Sequence, residues 1–366
     1  VLNLEIDFHH GVIYVLSRLA GFKKEDSDII ASSSQFVDDA IWDHPVFFKA
    51  GEIYKPMSSA HKTLDYRNFV ELANRLSWVS YHFLPGNCGE EAGAEKGYDF
   101  ESRLICRPNS YIAKDMIKEC INSSGNKKAL FRLGISLHVY ADTWSHQGFS
   151  GIQSYLNTVG YIEDENSSVN LKQKVKNFFS DIFDNAVGGF VENILPLGHG
   201  PVLSFPDKPY LRWKYVNSKG EIVERDNTVI FMEAVKKIYE VLCNFRNVYY
   251  NILSSNTFIS DDNLKKIEYL LKNINFSDSI EREKVWLNEI ENNYFGFGSE
   301  KVQYVIQGAD SWEFKAFGRQ LTADNFRHDF SESILQSNWI LFHEALIDHH
   351  YYLTRVLFPK YKLYIS

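Results

Sequence analysis

Apolar positions along this chain recur at intervals of three and four far more often than they alternate, which predicts a protein built mainly of helices. The segment HGVIYVLSRLAGF (10–22) reads as a helix stopped by Gly21, and EDSDIIASSSQFVDDAIW (25–42) as a helix with an acidic first turn. Helical spacing also marks 64–79, 107–122, 127–147, 169–187, 228–252, 262–274, 278–293 and 331–357. The strongest strand signal is RWKYVNSKGEIVERD (212–226), with SKG as the turn of a hairpin. The expected fold is therefore all-α, a multi-helix bundle with a small hairpin insertion.

Between Leu133 and His146 the chain reads LGISLHVYADTWSH, an apolar helical stretch interrupted by His138, Asp142 and His146 at intervals of four. At about 100° per residue these three side chains span roughly 80° of arc and stack on one face over two turns. Two imidazoles and a carboxylate lined up this way can hold one metal ion or bridge two. Burying three such groups in an apolar setting without a cation is costly, so the metal reading outweighs that of a hydrogen-bonded polar seam.

Further ligand types surround this trio in the sequence. Twelve histidines are present, seven of them before residue 150. Asp7, His9 and His10 open the first helix, and Asp38 with Asp39 form an acidic pair inside an apolar helical run. His61 and His82 follow, and His199 sits between two glycines in the Pro-rich stretch PLGHGPVLSFPDKPY (196–210). Many His with a few Asp suit zinc or another divalent transition metal better than calcium or magnesium, which prefer all-oxygen shells. The candidates exceed what one tetrahedral ion can use, so two or three Zn2+ ions are expected, with Asp38 or Asp39 available to orient or deprotonate water. The pattern assigns residues 1–252 to a metal-binding helical domain and 253–366 to a C-terminal helical layer packed on the same core.

Two other groupings carry less weight. LFHEALIDHHYYL (341–353) holds His343, Glu344, His349 and His350, but Glu344 and Asp348 share a face that the histidines need not join. His328-Asp329 is an isolated dipeptide without the upstream His and downstream Asp that a phosphohydrolase of that type needs. His44, before Pro45, reads as an ordinary loop residue.

With these residues set out, the chain resembles the zinc-dependent phospholipase C and S1/P1 nuclease group, helical enzymes with a trinuclear zinc site. The resemblance rests on HVYADTWSH, similar to that group's His-x3-Asp pair and following His, and on Asp38 or Asp39 followed by His61. It covers about the first 200 residues. The group's third His follows its Asp by six residues, whereas His146 follows Asp142 by four; a later His-x3-Glu pair is missing, with His199 as its stand-in. The group also binds zinc through a mature N-terminal Trp, a role that Asp7 or His9 would have to take here unless the third metal is missing. DFHHGVIYVLSRLAGF and GHGPVLSFPDKPYLRW also resemble an uncharacterised bacterial hydrolase-like family. The resemblance implies phosphodiester hydrolysis, with a phospholipid headgroup, another small molecule or single-stranded nucleic acid as substrate.

Composition narrows the partners. A net charge of −8 argues against duplex nucleic acid, whose binding needs clustered Lys and Arg. No apolar run reaches the roughly 18 residues of a membrane span, so the chain is expected to be soluble, either cytoplasmic or secreted with a signal removed. Cys88, Cys106, Cys120 and Cys243 are scattered and neither require nor exclude disulfides. Two rivals stand beside the phosphoesterase: a helical interaction or effector protein with a structural metal, and a metal hydrolase of amide or carboxylic ester bonds.

Overall fold

A computed structural model describes residues 6–60, 77–94, 96–164, 198, 200–254, 257–322 and 326–365. The chain enters through a π-helical turn (Asp7–Val12) that continues into α1 (Ile13–Leu19), followed by α2 (Lys24–Asp39). Next come α3 (Phe100–Leu104), α4 (Tyr111–Asn122), α5 (Ala129–Ser145) and α6 (Asn227–Tyr249). The remainder holds α7 (Asp261–Asn273), α8 (Ser279–Glu291), α9 (Trp312–Phe317) and α10 (Asn338–Tyr352), which runs through a π turn (Leu353–Leu357) into α11 (Phe358–Lys360). The helix predicted over 169–187 lies outside the described residues, as does most of 64–79, where 77–81 is helical.

Every residue of α5 is buried, as a helix apolar on nearly all sides must be, and α2, α4, α6 and α10 pack round it. Small residues set how near α2 comes. A Cβ on Gly134 would stand 2.4 Å from the Ile30 carbonyl oxygen and 2.5 Å from Ser33 Cβ, so only glycine fits at this crossing. One turn further along each helix stand His138 and Asp38, and the close crossing is what lets their side chains meet.

The expectation of a single hairpin was incomplete. Strands β4 (Arg212–Val216) and β5 (Ile222–Asp226) form the predicted hairpin, and β3 (Ile162–Asp164) adds an antiparallel third strand. A second small sheet places β1 (Val46–Phe48) between antiparallel β2 (Ile53–Tyr54) and parallel β6 (Arg327–His328). Strands this short carry too few residues to display a period of two, so the sequence gives no warning of them. The fold is mostly helical, about 53% of the chain, rather than wholly so.

One core cluster runs from Phe8 to Ile365 and takes in Val12, Leu137, Ile238, Trp286 and Phe358. Residues on both sides of position 252 thus share one core. Among the described residues no helix is long and apolar enough to cross a membrane.

Candidate metal centre

The helix trio supplies the centre of the site. His138 and Asp142 project from α5 with His146 as its C-cap, Asp38 comes from the last turn of α2, and His82 follows helical residues 77–81. His9 arrives from the π turn. None of these six side chains is more than 5% exposed.

His82 Nδ1, His138 Nε2 and Asp142 Oδ2 form a triangle with sides of 3.2, 3.4 and 3.4 Å. Asp38 Oδ1 stands 3.7 Å from each of the two nitrogens. Ligands about 2.1 Å from a tetrahedral zinc are about 3.4 Å apart, so these spacings could accommodate an ion. The outward bond of His82 leaves its lone pair inward. His82 Nε2–H donates to the Ser59 carbonyl at 3.1 Å, which leaves Nδ1 unprotonated in the neutral ring.

A second set adjoins the first through Asp142. Its Oδ1 lies 3.1 Å from His9 Nε2, while His9, Asp38 and His138 offer ligand atoms that all fall within 4.8 Å of one another. The His9 ring stacks on that of His138 at 4.0 Å. Neither nitrogen of His9 has a hydrogen-bond partner among the described residues although the ring is buried, and Asp142 beside it is met by imidazoles at 3.1 to 3.7 Å. Buried polar atoms are nearly always satisfied, and a cluster of imidazoles and carboxylates that leaves His9 unsatisfied could hold a cation.

Electrostatics agree. Burial pushes the Asp38 carboxyl well above its ordinary range, and the nearby carboxylates Asp142, Asp39 and Asp207 push it further. Burial also opposes ionisation of Asp142, but the imidazoles of His138 and His146 reverse that and hold it well below the usual carboxylate range. Burial first, and then the neighbouring His9, draw the His138 imidazole down to about 3. His146 is different: burial lowers it, yet Asp142 and Asp207 outweigh that and raise it.

The other sequence candidates are placed elsewhere or not described. Asp7 is spent on a bidentate contact with Arg282, at 3.0 and 3.3 Å, and His10 Nδ1 meets Glu283 Oε1 at 2.5 Å. Asp39 accepts from Gln35 at 3.2 Å and from Tyr304 at 2.8 Å, and the Tyr304 bond separates it from its neighbour Asp38. His61 and His199 lie outside the described residues. His44 is exposed and packs its ring on Trp42.

The two lesser groupings do not assemble. His343 Nδ1 donates to the Met57 carbonyl at 2.9 Å, and His349 Nδ1 accepts from Arg132 at 3.2 Å. Asp329 is largely exposed and pairs with Lys49, while His328 is buried among Phe48, Phe317 and Phe326.

One acid at the site had no separate signal in the sequence. Asp207, fully buried in a 3-10 turn (Phe205–Asp207), puts Oδ1 3.5 Å from His146 Nε2. It belongs to the same Pro-rich loop as His199, and the loop was the only clue. The signal for Arg282 and Glu283 is their place one turn before Trp286 and two before Ile290, on the side where this amphipathic helix turns inward.

A family model described as a family of unknown function (DUF6765) matches residues 4–357, and the chain belongs to that family. No curated protein and no solved structure matches it.

Proposed function

We propose that the protein is a metal-dependent hydrolase of phosphoester bonds, with two or three zinc ions held among His9, Asp38, His82, His138, Asp142 and His146. The observation that carries this reading is the buried, hydrogen-bond-free approach of His9 to Asp142 beside three ligand atoms at coordination spacing. Asp142 is suited to bridge, because its two oxygens face different imidazoles. Ions in such a shell acidify water and neutralise charge on phosphoryl oxygens. The chain's own residues do the rest. Asp38, on the edge of the cluster and drawn toward its protonated form by burial, can take and return a proton, while Gln35 at 3.5 Å steadies its second oxygen. Asp39 and Tyr304 buttress that end of α2.

The resemblance to the zinc phospholipase C and S1/P1 nuclease group supports a phosphodiester substrate within a helical bundle of that type, a phospholipid headgroup or a single strand of nucleic acid. A second reading has a specific observation in its favour. His9, Asp38, His82, His138, Asp142 and His146 are all almost fully buried, which also suits a closed metal site that only braces the fold of a non-catalytic protein.

Elemental analysis of the purified protein, paired with turnover of bis-(p-nitrophenyl) phosphate, tests both readings. Two or more equivalents of zinc with metal-dependent turnover supports the hydrolase. Zinc without turnover on phosphodiester, phosphomonoester or carboxylic ester substrates supports the structural site. Less than one equivalent after supplementation removes the basis of both.

A further inference from the structure

The turn that carries His9 is gripped from behind by one face of α8. Asp7 meets Arg282, His10 meets Glu283, and a Cβ on Gly11 would stand only 3.0 Å from Trp286 Cβ. Positions 282, 283 and 286 are successive on one side of a helix, so three contacts to residues 7, 10 and 11 fix both the tilt and the rotation of the turn. Between them, His9 faces the other way, with Nε2 at Asp142 and its ring on His138.

The grip is made of charge. Arg282 and Glu283 are 1% and 6% exposed, and burying adjacent opposite charges in a helix destabilises the fold unless each meets a well-aligned partner. Both partners lie on the π turn. His10 Nδ1 is held by Glu283, so the imidazole acts as a strut between α8 and the turn. A π turn widens the helix by one residue and changes which way each side chain points, and contacts from outside are what keep it in place.

We infer that Glu283 is a positioning residue of the metal centre: through His10 it sets the rotation of the turn and so the aim of His9 at Asp142. This rests on the metal reading above, and it assigns to α8, remote in sequence from every ligand candidate, a part in metal affinity. A carboxylate that only stabilises the fold would leave bound metal unchanged once the protein is folded.

The test uses the full chain as wild type, Glu283→Ala, Glu283→Gln, Gly11→Ala and, as a control, Glu281→Ala, whose side chain is half-exposed and pairs only with Lys284 among the described residues. Zinc affinity is measured by competition with a chromogenic chelator, and ligand geometry by the visible spectrum of the Co2+-substituted protein. Glu283→Ala should bind zinc about 10–100-fold more weakly, with altered cobalt bands, as loss of an orienting outer partner does. Glu283→Gln, which keeps an acceptor for His10 Nδ1–H, should restore most of both, and Glu281→Ala should match wild type. Wild-type affinity and spectrum in folded Glu283→Ala overturn the inference and leave the metal reading standing. Should Glu283→Ala not fold, Gly11→Ala displaces the same turn without removing a charge: weakened zinc binding supports the inference and unchanged binding overturns it. A wild type that takes up no zinc overturns the metal reading itself and this inference with it.

Discussion

His9 Nε2 and Asp142 Oδ1 stand 3.1 Å apart in the buried centre of the protein, yet no hydrogen bond joins them. A close contact between a donor-capable ring and a carboxylate costs little when the two are aligned and much when they are not. Two further imidazoles, His82 and His138, approach the other oxygen of the same carboxylate at 3.4 Å. Imidazoles and carboxylates that converge in this way could hold a metal ion, and the proposed zinc matches them in radius and ligand preference.

Asp142→Asn tests that arrangement most directly. The amide keeps the shape of the side chain but loses the charge that offsets a cation and the second anionic oxygen that bridges. Bound zinc should fall by at least one equivalent per chain, measured by elemental analysis of protein purified in parallel with wild type. Equal metal content in the two proteins rules out Asp142 as a ligand.

Gly134→Ala tests the crossing of α2 and α5. The new methyl group would lie 2.4 Å from the Ile30 carbonyl oxygen, and backbone cannot move aside as a flexible side chain does. Overpacking of this kind destabilises by about 1–3 kcal/mol. The variant should unfold at a lower urea concentration and also bind zinc more weakly, because separating the helices draws Asp38 away from His138. A variant as stable as wild type would show that the helices can part freely.

The centre of this site was legible in the sequence because its spacing is helical. His138, Asp142 and His146 announce a shared face, and α5 runs over Ala129–Ser145 within the predicted 127–147. Asp38 could not be told from Asp39 by sequence, since the choice depends on a 100° rotation and on Tyr304, which is distant along the chain. Asp7 and His10 carry ligand chemistry that tertiary contacts divert to Arg282 and Glu283. Nothing local in DFHH reports a partner some 275 residues away. The short sheet β2-β1-β6 was invisible for a related reason: its parallel pairing of Phe47 with Arg327 is set by how the helices bring two loops together.

His343→Ala separates histidine content from metal binding. His343 is buried, its Nδ1–H is given to the Met57 carbonyl, and its ring packs on Trp339 at 4.2 Å. Truncation removes that packing and strands the carbonyl, at a cost of roughly 2–4 kcal/mol. Urea denaturation should show the loss while zinc per folded chain stays at the wild-type value. A fall in zinc would draw the C-terminal histidines into the metal centre.

Removing the metal should expose how much of the fold leans on it. Six ionisable side chains, His9, Asp38, His82, His138, Asp142 and His146, are almost fully buried, and without a cation the unpartnered His9 ring and the crowding of Asp38 against Asp142 oppose folding. Ligand binding to the native state alone adds about 2.7 kcal/mol when free zinc is at 100 times its dissociation constant. Extensive dialysis against a chelator should therefore lower the melting temperature, and added zinc should restore it in a concentration-dependent way. A melting temperature indifferent to both treatments is incompatible with the proposed centre.

Asp38→Asn and Asp39→Asn, compared side by side, assign the acidic pair. Asp38 Oδ1 lies 3.7 Å from both His82 Nδ1 and His138 Nε2, and the carboxylates Asp142, Asp39 and Asp207 crowd it. Asp39 instead accepts hydrogen bonds from Tyr304 and Gln35. Neutralising Asp38 removes an anion from the coordination region, so zinc affinity should fall and phosphodiester turnover should be lost, by at least a hundredfold if this carboxylate also moves the proton (about 10²–10⁴ for such a group). Neutralising Asp39 leaves an amide oxygen that still accepts from Tyr304, so zinc content should stay at the wild-type level and the effect should be confined to a modest loss of stability. Both proteins differ from wild type by one charge and are one residue apart, which cancels any general effect of charge on metal uptake. If the two behave alike, or if Asp39→Asn is the one that sheds zinc, α2 presents a different face to the ions from the one its hydrogen bonds define.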